Sequence, residues 1–189
     1  MDQDKVLKLF RDSGALLEGH FRLSSGLHSG GYLQCALVLQ HPASAEQLGR
    51  ALGEQLRGLG ANVVLSPALG GLIIGHEVGR ALGVRAIFAE RQDNVLTLRR
   101  GFTLGPTDHV VVIEDVVTTG GSTRETMIVA KASGATVVGA GSVIDRSGGN
   151  TDLGVPFSSL VTLKLPTYQP DDCPMCKAGQ PVVKPGSRA

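Results

Sequence analysis

Apolar positions recur along this chain in two rhythms, and the rhythms divide it into elements. Within 5–13, Val6, Leu9 and Phe10 share one helical face, and Gly14 supplies a stop. From 19 to 39, Leu23, a Ser24-Ser25-Gly26 turn, and then Tyr32, Leu33, Leu37 and Leu39 read as strands around a turn. Pro42 opens a helix over 43–57, where Leu48, Leu52 and Leu56 stand four apart on one buried stripe. Strands and helices then alternate: strand 63–65, helix 72–82, strand 84–89, strand 110–113, helix 123–132 and strand 137–144.

Short Val/Ile-rich strands alternating with helices predict a parallel sheet covered on both faces, because each parallel crossover needs a helix-length connection. The fold class is therefore α/β. The polar stretch from Arg91 to His109, with Asp93, Arg99, Arg100, Gly101 and Pro106, is too long for a simple turn and is expected to be a functional or disordered loop. Beyond Leu165 lie five of the nine prolines, Pro166, Pro170, Pro174, Pro181 and Pro185, so 166–189 is expected to be an irregular tail. At 189 residues the chain suits one domain over 1–189, with residues 14–40 as a small N-terminal hood.

Eighteen basic and seventeen acidic residues nearly cancel, so no overall field favours nucleic acid or an anionic membrane, and any anion must be held locally. No apolar run is long enough to span a bilayer and the N-terminus is charged, which gives a cytoplasmic expectation. The three cysteines do not form a secreted disulfide framework.

The strongest chemical signal is Val110-Val111-Val112-Ile113-Glu114-Asp115-Val116-Val117-Thr118-Thr119-Gly120-Gly121-Ser122-Thr123. A buried strand ends in two carboxylates, and a Gly/Thr/Ser loop then opens a helix beyond the strand's carboxyl end, where ligands bind in open α/β sheets. Gly120 and Gly121 let backbone approach a phosphate, which would accept N–H bonds at the helix start and hydroxyl bonds from Thr118, Thr119, Ser122 and Thr123. Gly-Lys-Ser/Thr is missing, and Gly58-Leu59-Gly60 lacks the third glycine of a dinucleotide fingerprint. A carboxylate pair before a monophosphate cradle would instead accept bonds from sugar hydroxyls, so a phosphorylated ribose is the expected ligand. Singly, the two acids could merely end a strand and the hydroxyl residues merely cap a helix.

Together these fourteen residues resemble the signature of type I phosphoribosyltransferases. Ser66-Pro67-Ala68-Leu69-Gly70-Gly71 resembles the pyrophosphate loop of that family, although alone it reads equally as a plain turn. The stretch from Phe21 through Ser24, His28 and Tyr32 to Gln34 looks like the hood of orotate phosphoribosyltransferases, as does Ile144-Asp145-Arg146-Ser147-Gly148-Gly149 near the last core strand. The resemblance spans almost the whole chain. It implies a central, mainly parallel sheet flanked by helices under a small hood, and transfer of the ribose 5-phosphate of phosphoribosyl pyrophosphate to orotate.

By that resemblance Glu114, Asp115, Val116, Val117, Thr118, Thr119, Gly120, Gly121 and Ser122 bind the phosphoribosyl group. Ala68, Leu69, Gly70 and Gly71 bind pyrophosphate, Arg91 of the long loop also binds substrate, and Tyr32 and Arg146 serve the base, although a lone arginine such as Arg146 is more often a surface ion-pair partner. Asp115, Arg99 and Arg100 are the catalytic candidates, although the two arginines also read as a solvated basic face on a mobile loop. Two departures stand out: many members carry lysine at the position of Ser24, and many carry lysine, aspartate and histidine where this chain has Arg91, Asp93, Arg99 and Arg100. Arginine stays protonated, so it stabilises charge but is a poor proton donor.

The resemblance also implies a homodimer and a Mg²⁺ ion carried by the pyrophosphate substrate. The five histidines share no metal-ligand spacing, so no catalytic metal cage is read, and Cys173 and Cys176 supply half of a four-ligand zinc site. A purine-type phosphoribosyltransferase and a non-catalytic regulator sensing phosphoribosyl pyrophosphate are the alternatives. The second would need a DNA-binding domain for which the chain has neither length nor a basic helix.

Overall fold

The computed structural model describes residues 1–23 and 25–184; Ser24 and Pro185 lie outside the described residues. Its main sheet follows from the valine runs. Strands β3 (Val63–Pro67), β4 (Arg85–Gln92), β5 (Val95–Leu98), β6 (His109–Val117), β7 (Thr136–Asp145) and β8 (Phe157–Thr162) form one six-stranded sheet in the order β5-β4-β3-β6-β7-β8. All neighbours pair parallel except β4 with β5.

Side chains alternate across a strand, and both faces of this sheet are covered. Val64, Val111 and Ile113 face a cluster containing Leu48, Leu52 and Leu56 of α3 (Pro42–Leu56) and Ile74 and Val78 of α4 (Gly71–Leu82). Val63, Leu65, Val110 and Val112 face the other way, against Met127 and Ala130 of α5 (Gly121–Ala132). That is why β6 reads as an unbroken apolar run instead of an alternating one. Helix α1 (Gln3–Asp12) buries Val6 and Phe10 in the first cluster and is capped by Asp2, whose carboxylate accepts from Lys5 N at 2.9 Å.

The chain leaves β3 for β4 on one side, then returns to add β6 on the other. The switch between adjacent strands β3 and β6 opens a crevice beyond their carboxyl ends. Both signature loops of the sequence follow these two strands.

A second sheet makes the hood: β1 (Leu16–Arg22), β2 (His28–Leu33) and β9 (Thr167–Tyr168), all antiparallel in the order β1-β2-β9.

Several expectations are corrected. Leu37 and Leu39 lie on a short helix, α2 (Cys35–Leu39), and not on a strand. The first part of the stretch after Arg91, to Leu98, is a hairpin of β4 and β5 joined by Asp93-Asn94, whose φ angles of 50° and 65° both lie in the left-handed region that a two-residue turn of this kind needs. The tail is not wholly irregular: it contributes β9, a 3₁₀ turn (Pro170–Asp172) and one helical turn, α6 (Pro174–Lys177). Strand β8 was not foreseen.

Candidate active site

The two acidic residues at the end of β6 point to opposite faces by the strand's alternation. Asp115 shares the face of Ile113, toward α4, where the backbone of Gly70 lies so close that a β-carbon there would sit 2.8 Å from its Oδ1. Only glycine allows this approach, so the pyrophosphate-type loop and the ribose-type motif meet at Gly70 and Asp115. Asp115 Oδ1 also accepts from Val116 N at 2.8 Å. Glu114 is buried, and its carboxyl is pushed up to about 8, first by desolvation and then by the neighbouring Asp115 charge. Desolvation raises Asp115 as well. A buried acid pair of this kind gains from hydroxyl donors or positive charge.

Past Val116 and the buried Val117, the loop from Thr118 to Gly120 turns its carbonyls away. Thr151 Oγ1 donates to Thr118 O at 3.1 Å and Arg124 donates to Thr119 O at 2.7 Å and to Asp152 O at 2.6 Å. The first bond into the helix here is Arg124 N to Gly120 O, so the N–H groups of Gly121, Ser122 and Thr123 have no carbonyl a turn earlier to reach. The loop thus presents donors. Gly120 has φ 75°, and a β-carbon on it would meet Leu153 Cδ2 at 2.8 Å and Thr151 Cγ2 at 2.9 Å. Thr118, Thr119 and Ser122 are exposed, whereas Thr123 is buried, which removes its hydroxyl from the expected cradle.

The second loop is anchored by Ala68 N donating to Ala89 O at 2.8 Å, and its Ala68–Leu69 peptide is cis. Leu69 is 82% exposed at the rim, and Gly71 opens α4.

Arg146 stands at the end of β7, beside β6. Its N–H donates to Val117 O at 2.7 Å, which ties it to the phosphoribosyl motif. The buried Asp145 shapes this turn, accepting from Ser147 N at 2.8 Å and Gly149 N at 3.0 Å. Arg146 is half-buried and its Nε is a buried donor with no hydrogen-bond partner among the described residues. Burial holds its guanidinium below its ordinary range, opposed by the nearby Tyr32 hydroxyl. Tyr32, on β2, packs against Phe21 with ring centroids 5.9 Å apart. So Tyr32 and Arg146, 114 positions apart in sequence, lie near each other in the fold.

The three hairpin arginines are placed differently. Arg91 bonds Glu125 of α5 at 2.6 Å and Asn94 O at 2.7 Å. Arg100 grips Glu90 in a fork of 2.7 to 3.1 Å. Arg99 is exposed and makes no ion pair among the described residues. Asp145, Arg124 and Thr151 were missed as positioning residues; Asp145 lay inside a quoted motif, but nothing in the sequence marks the other two.

One further convergence was half-read from sequence: Cys173 and Cys176 of the tail meet His20 and His28 of the hood.

A protein of Pelotomaculum thermopropionicum named orotate phosphoribosyltransferase is 55% identical over 188 residues, covering 100% of this chain and 99% of that one. The chain belongs to the orotate phosphoribosyltransferase family. Membership makes it a phosphoribosyltransferase, an enzyme of pyrimidine biosynthesis, and neither the purine-type nor the regulatory alternative is favoured. The orotate phosphoribosyltransferase of Aeropyrum pernix superposes with a TM-score of 0.70 at 28% identity, over 84% of this chain and 94% of that one. That of Mycobacterium tuberculosis, solved with 5-phospho-α-D-ribosyl 1-diphosphate, shares the fold with a TM-score of 0.68 at 24% identity, over 86% and 97% of the two chains. No family model matches the chain. Type I phosphoribosyltransferase architecture is thus shown, and no described helix is long and apolar enough to cross a membrane.

Proposed function

We propose that this orotate phosphoribosyltransferase binds phosphoribosyl pyrophosphate across the switch between β3 and β6, and holds orotate between Tyr32 and Arg146, giving orotidine 5'-monophosphate and pyrophosphate. The observation that carries the base assignment is Arg146 Nε, a buried donor without a partner among the described residues, near Tyr32 and one backbone bond from the phosphoribosyl motif. A buried cation of this kind is costly unless an anion meets it, and orotate brings a carboxylate.

In this reading the 5-phosphate lies on the N–H groups of Gly121 and Ser122 with the hydroxyls of Thr118, Thr119 and Ser122. Glu114 and Asp115 accept from the ribose hydroxyls, and ionised they favour positive charge on the ring as the bond to pyrophosphate loosens. Gly70 and Gly71, with Ala68 and Leu69, bring backbone to the departing pyrophosphate, and Arg99, exposed and without an ion pair among the described residues, supplies positive charge to it. Asp115 beside Gly70 offers one carboxylate next to the leaving group, which suits Mg²⁺, an ion that keeps mostly phosphate and water ligands. When bound, the ion neutralises pyrophosphate charge. The chain works as one domain, in the cytoplasm, as a homodimer whose exposed β4–β5 hairpin region serves the neighbouring site.

Replacing Arg146 with alanine should raise the orotate Michaelis constant by roughly 10- to 100-fold, the loss of a charge-assisted bond. The affinity for phosphoribosyl pyrophosphate should change far less. Equal loss of both, in protein that is still folded, would sink the assignment.

A further inference from the structure

The tail and the hood come together at four side chains that the reaction does not use. Cys173 caps α6 and Cys176 sits three positions on, so a single helical turn puts both thiols on one side. His28 of β2 pairs opposite Arg22, and His20, two positions back along β1, brings its ring centroid within 4.7 Å of His28. One ligand atom from each of the four lies within 4.8 Å of every other. His20, His28 and Cys173 are buried, and only Cys176 reaches the surface.

Hydrogen bonding fixes what His20 offers. Its Nδ1 lies 2.9 Å from Gln180 O, and a carbonyl only accepts, so the ring proton is on Nδ1 and Nε2 carries a lone pair. Around that one lone pair stand His28 Nδ1 at 2.8 Å, Cys173 Sγ at 3.5 Å and Cys176 Sγ at 3.7 Å. Cys176 Sγ is also 3.3 Å from His28 Nδ1. A single lone pair cannot satisfy three donors, whereas a cation at the centre would be met by all four groups. In a tetrahedral zinc site nitrogen and sulfur ligands lie about 3.5 Å apart, and these sulfur–nitrogen separations bracket that edge. The bond from His20 Nδ1 to a backbone carbonyl is the arrangement that orients a metal-bound histidine.

We propose that His20, His28, Cys173 and Cys176 form a structural zinc site that fastens the tail to the hood. Binding releases the two thiol protons to solvent, and two thiolates with two neutral imidazoles leave the centre uncharged around Zn²⁺. All four positions are filled by protein, so the ion is closed to substrate and takes no part in transfer. It lies outside the phosphoribosyl motif and is distinct from the Mg²⁺ that accompanies pyrophosphate. Its role is to reinforce a strap otherwise held by the short β2–β9 pairing and by bonds such as Ser29 Oγ to Pro166 O at 3.1 Å, Arg22 N to Val183 O at 2.9 Å and Val183 N to His20 O at 2.8 Å.

The test is elemental analysis of the untagged enzyme, purified reduced and without chelator, beside Cys176→Ser. About one zinc per chain is expected in the parent and well under a tenth of that in the variant, which should still fold because position 176 is exposed. Adding Co²⁺ to metal-stripped parent enzyme should give the visible bands of tetrahedral cobalt with sulfur-to-metal charge transfer. Stripping should also open the chain to proteolysis between 166 and 184. Parent enzyme without zinc that gives no such cobalt spectrum would overturn the proposal, as would zinc content unchanged in Cys176→Ser, or a Cys173–Cys176 disulfide in native enzyme.

Discussion

Replacing Glu114 with glutamine should stabilise the folded enzyme at alkaline pH while impairing turnover. Glutamine has nearly the shape of protonated glutamate but no charge to desolvate. In the folded chain the Glu114 carboxyl keeps its proton up to about 8, against an ordinary 4.5. The folded state therefore binds more protons than the unfolded state throughout that window, and stability falls as pH rises through it. The penalty is absent below 4.5, where both states are protonated, and complete above about 8. The full difference corresponds to about 5 kcal/mol as an upper bound. Relaxation around the buried charge recovers part of it, and a remaining ~2 kcal/mol would shift the melting temperature of a chain this size by roughly 4–8 °C. Thermal unfolding of parent and variant without substrate, followed by circular dichroism at pH 5, 7 and 9, reads the effect directly. The two should lie closest at pH 5, and the variant should melt clearly higher at pH 9. Parallel curves, or a variant that melts lower at pH 9, would show that Glu114 is solvated or paired and not held in a desolvated acid pair.

Gly120→Ala should cost about 1–3 kcal/mol from crowding against Leu153 and Thr151, with added left-handed strain, measurable by urea unfolding; a neutral substitution would mean the cradle relaxes freely. Arg99→Ala should lower turnover while leaving the melting temperature unchanged, whereas Arg100→Ala should lower the melting temperature slightly through loss of the exposed fork to Glu90. The opposite pattern would reassign the two arginines. Mixing Arg99→Ala subunits with Asp115→Asn subunits should restore part of the activity if the hairpin region acts across a dimer, and the absence of rescue would place each complete site in one chain.

The parallel core was readable because strands buried on both faces leave continuous apolar runs, as in Val110 to Ile113, and because their helices keep a clean stripe, as in Leu48, Leu52 and Leu56. Cys35 to Leu39 was misread because five apolar residues in a row carry no period to separate helix from strand. The Asp93-Asn94 turn hid because glycine, the usual mark of such a hairpin, is absent from it. Of the site, the residue types were legible and their mutual placement was not. The touch of Gly70 on Asp115 and the nearness of Tyr32 to Arg146 depend on strand order, which local pattern does not encode. The zinc-type cluster was half visible for the same reason, since Cys173 and Cys176 are neighbours in sequence and their histidines are more than 140 positions away.

The way the tail wraps the hood bears on solubility. A two-stranded hairpin alone is marginal in water, and its outer strands present unpaired N–H and C=O groups that invite strands of other molecules. Here the tail blocks both borders of the β1–β2 ribbon: Thr167 and Tyr168 pair along β2, and Val183 bridges Phe21 of β1. The same segment that looks dispensable by composition is therefore a guard against sticking. Shortening the polypeptide from its carboxyl end toward Pro166 should yield protein that self-associates well before the phosphoribosyl core itself is damaged.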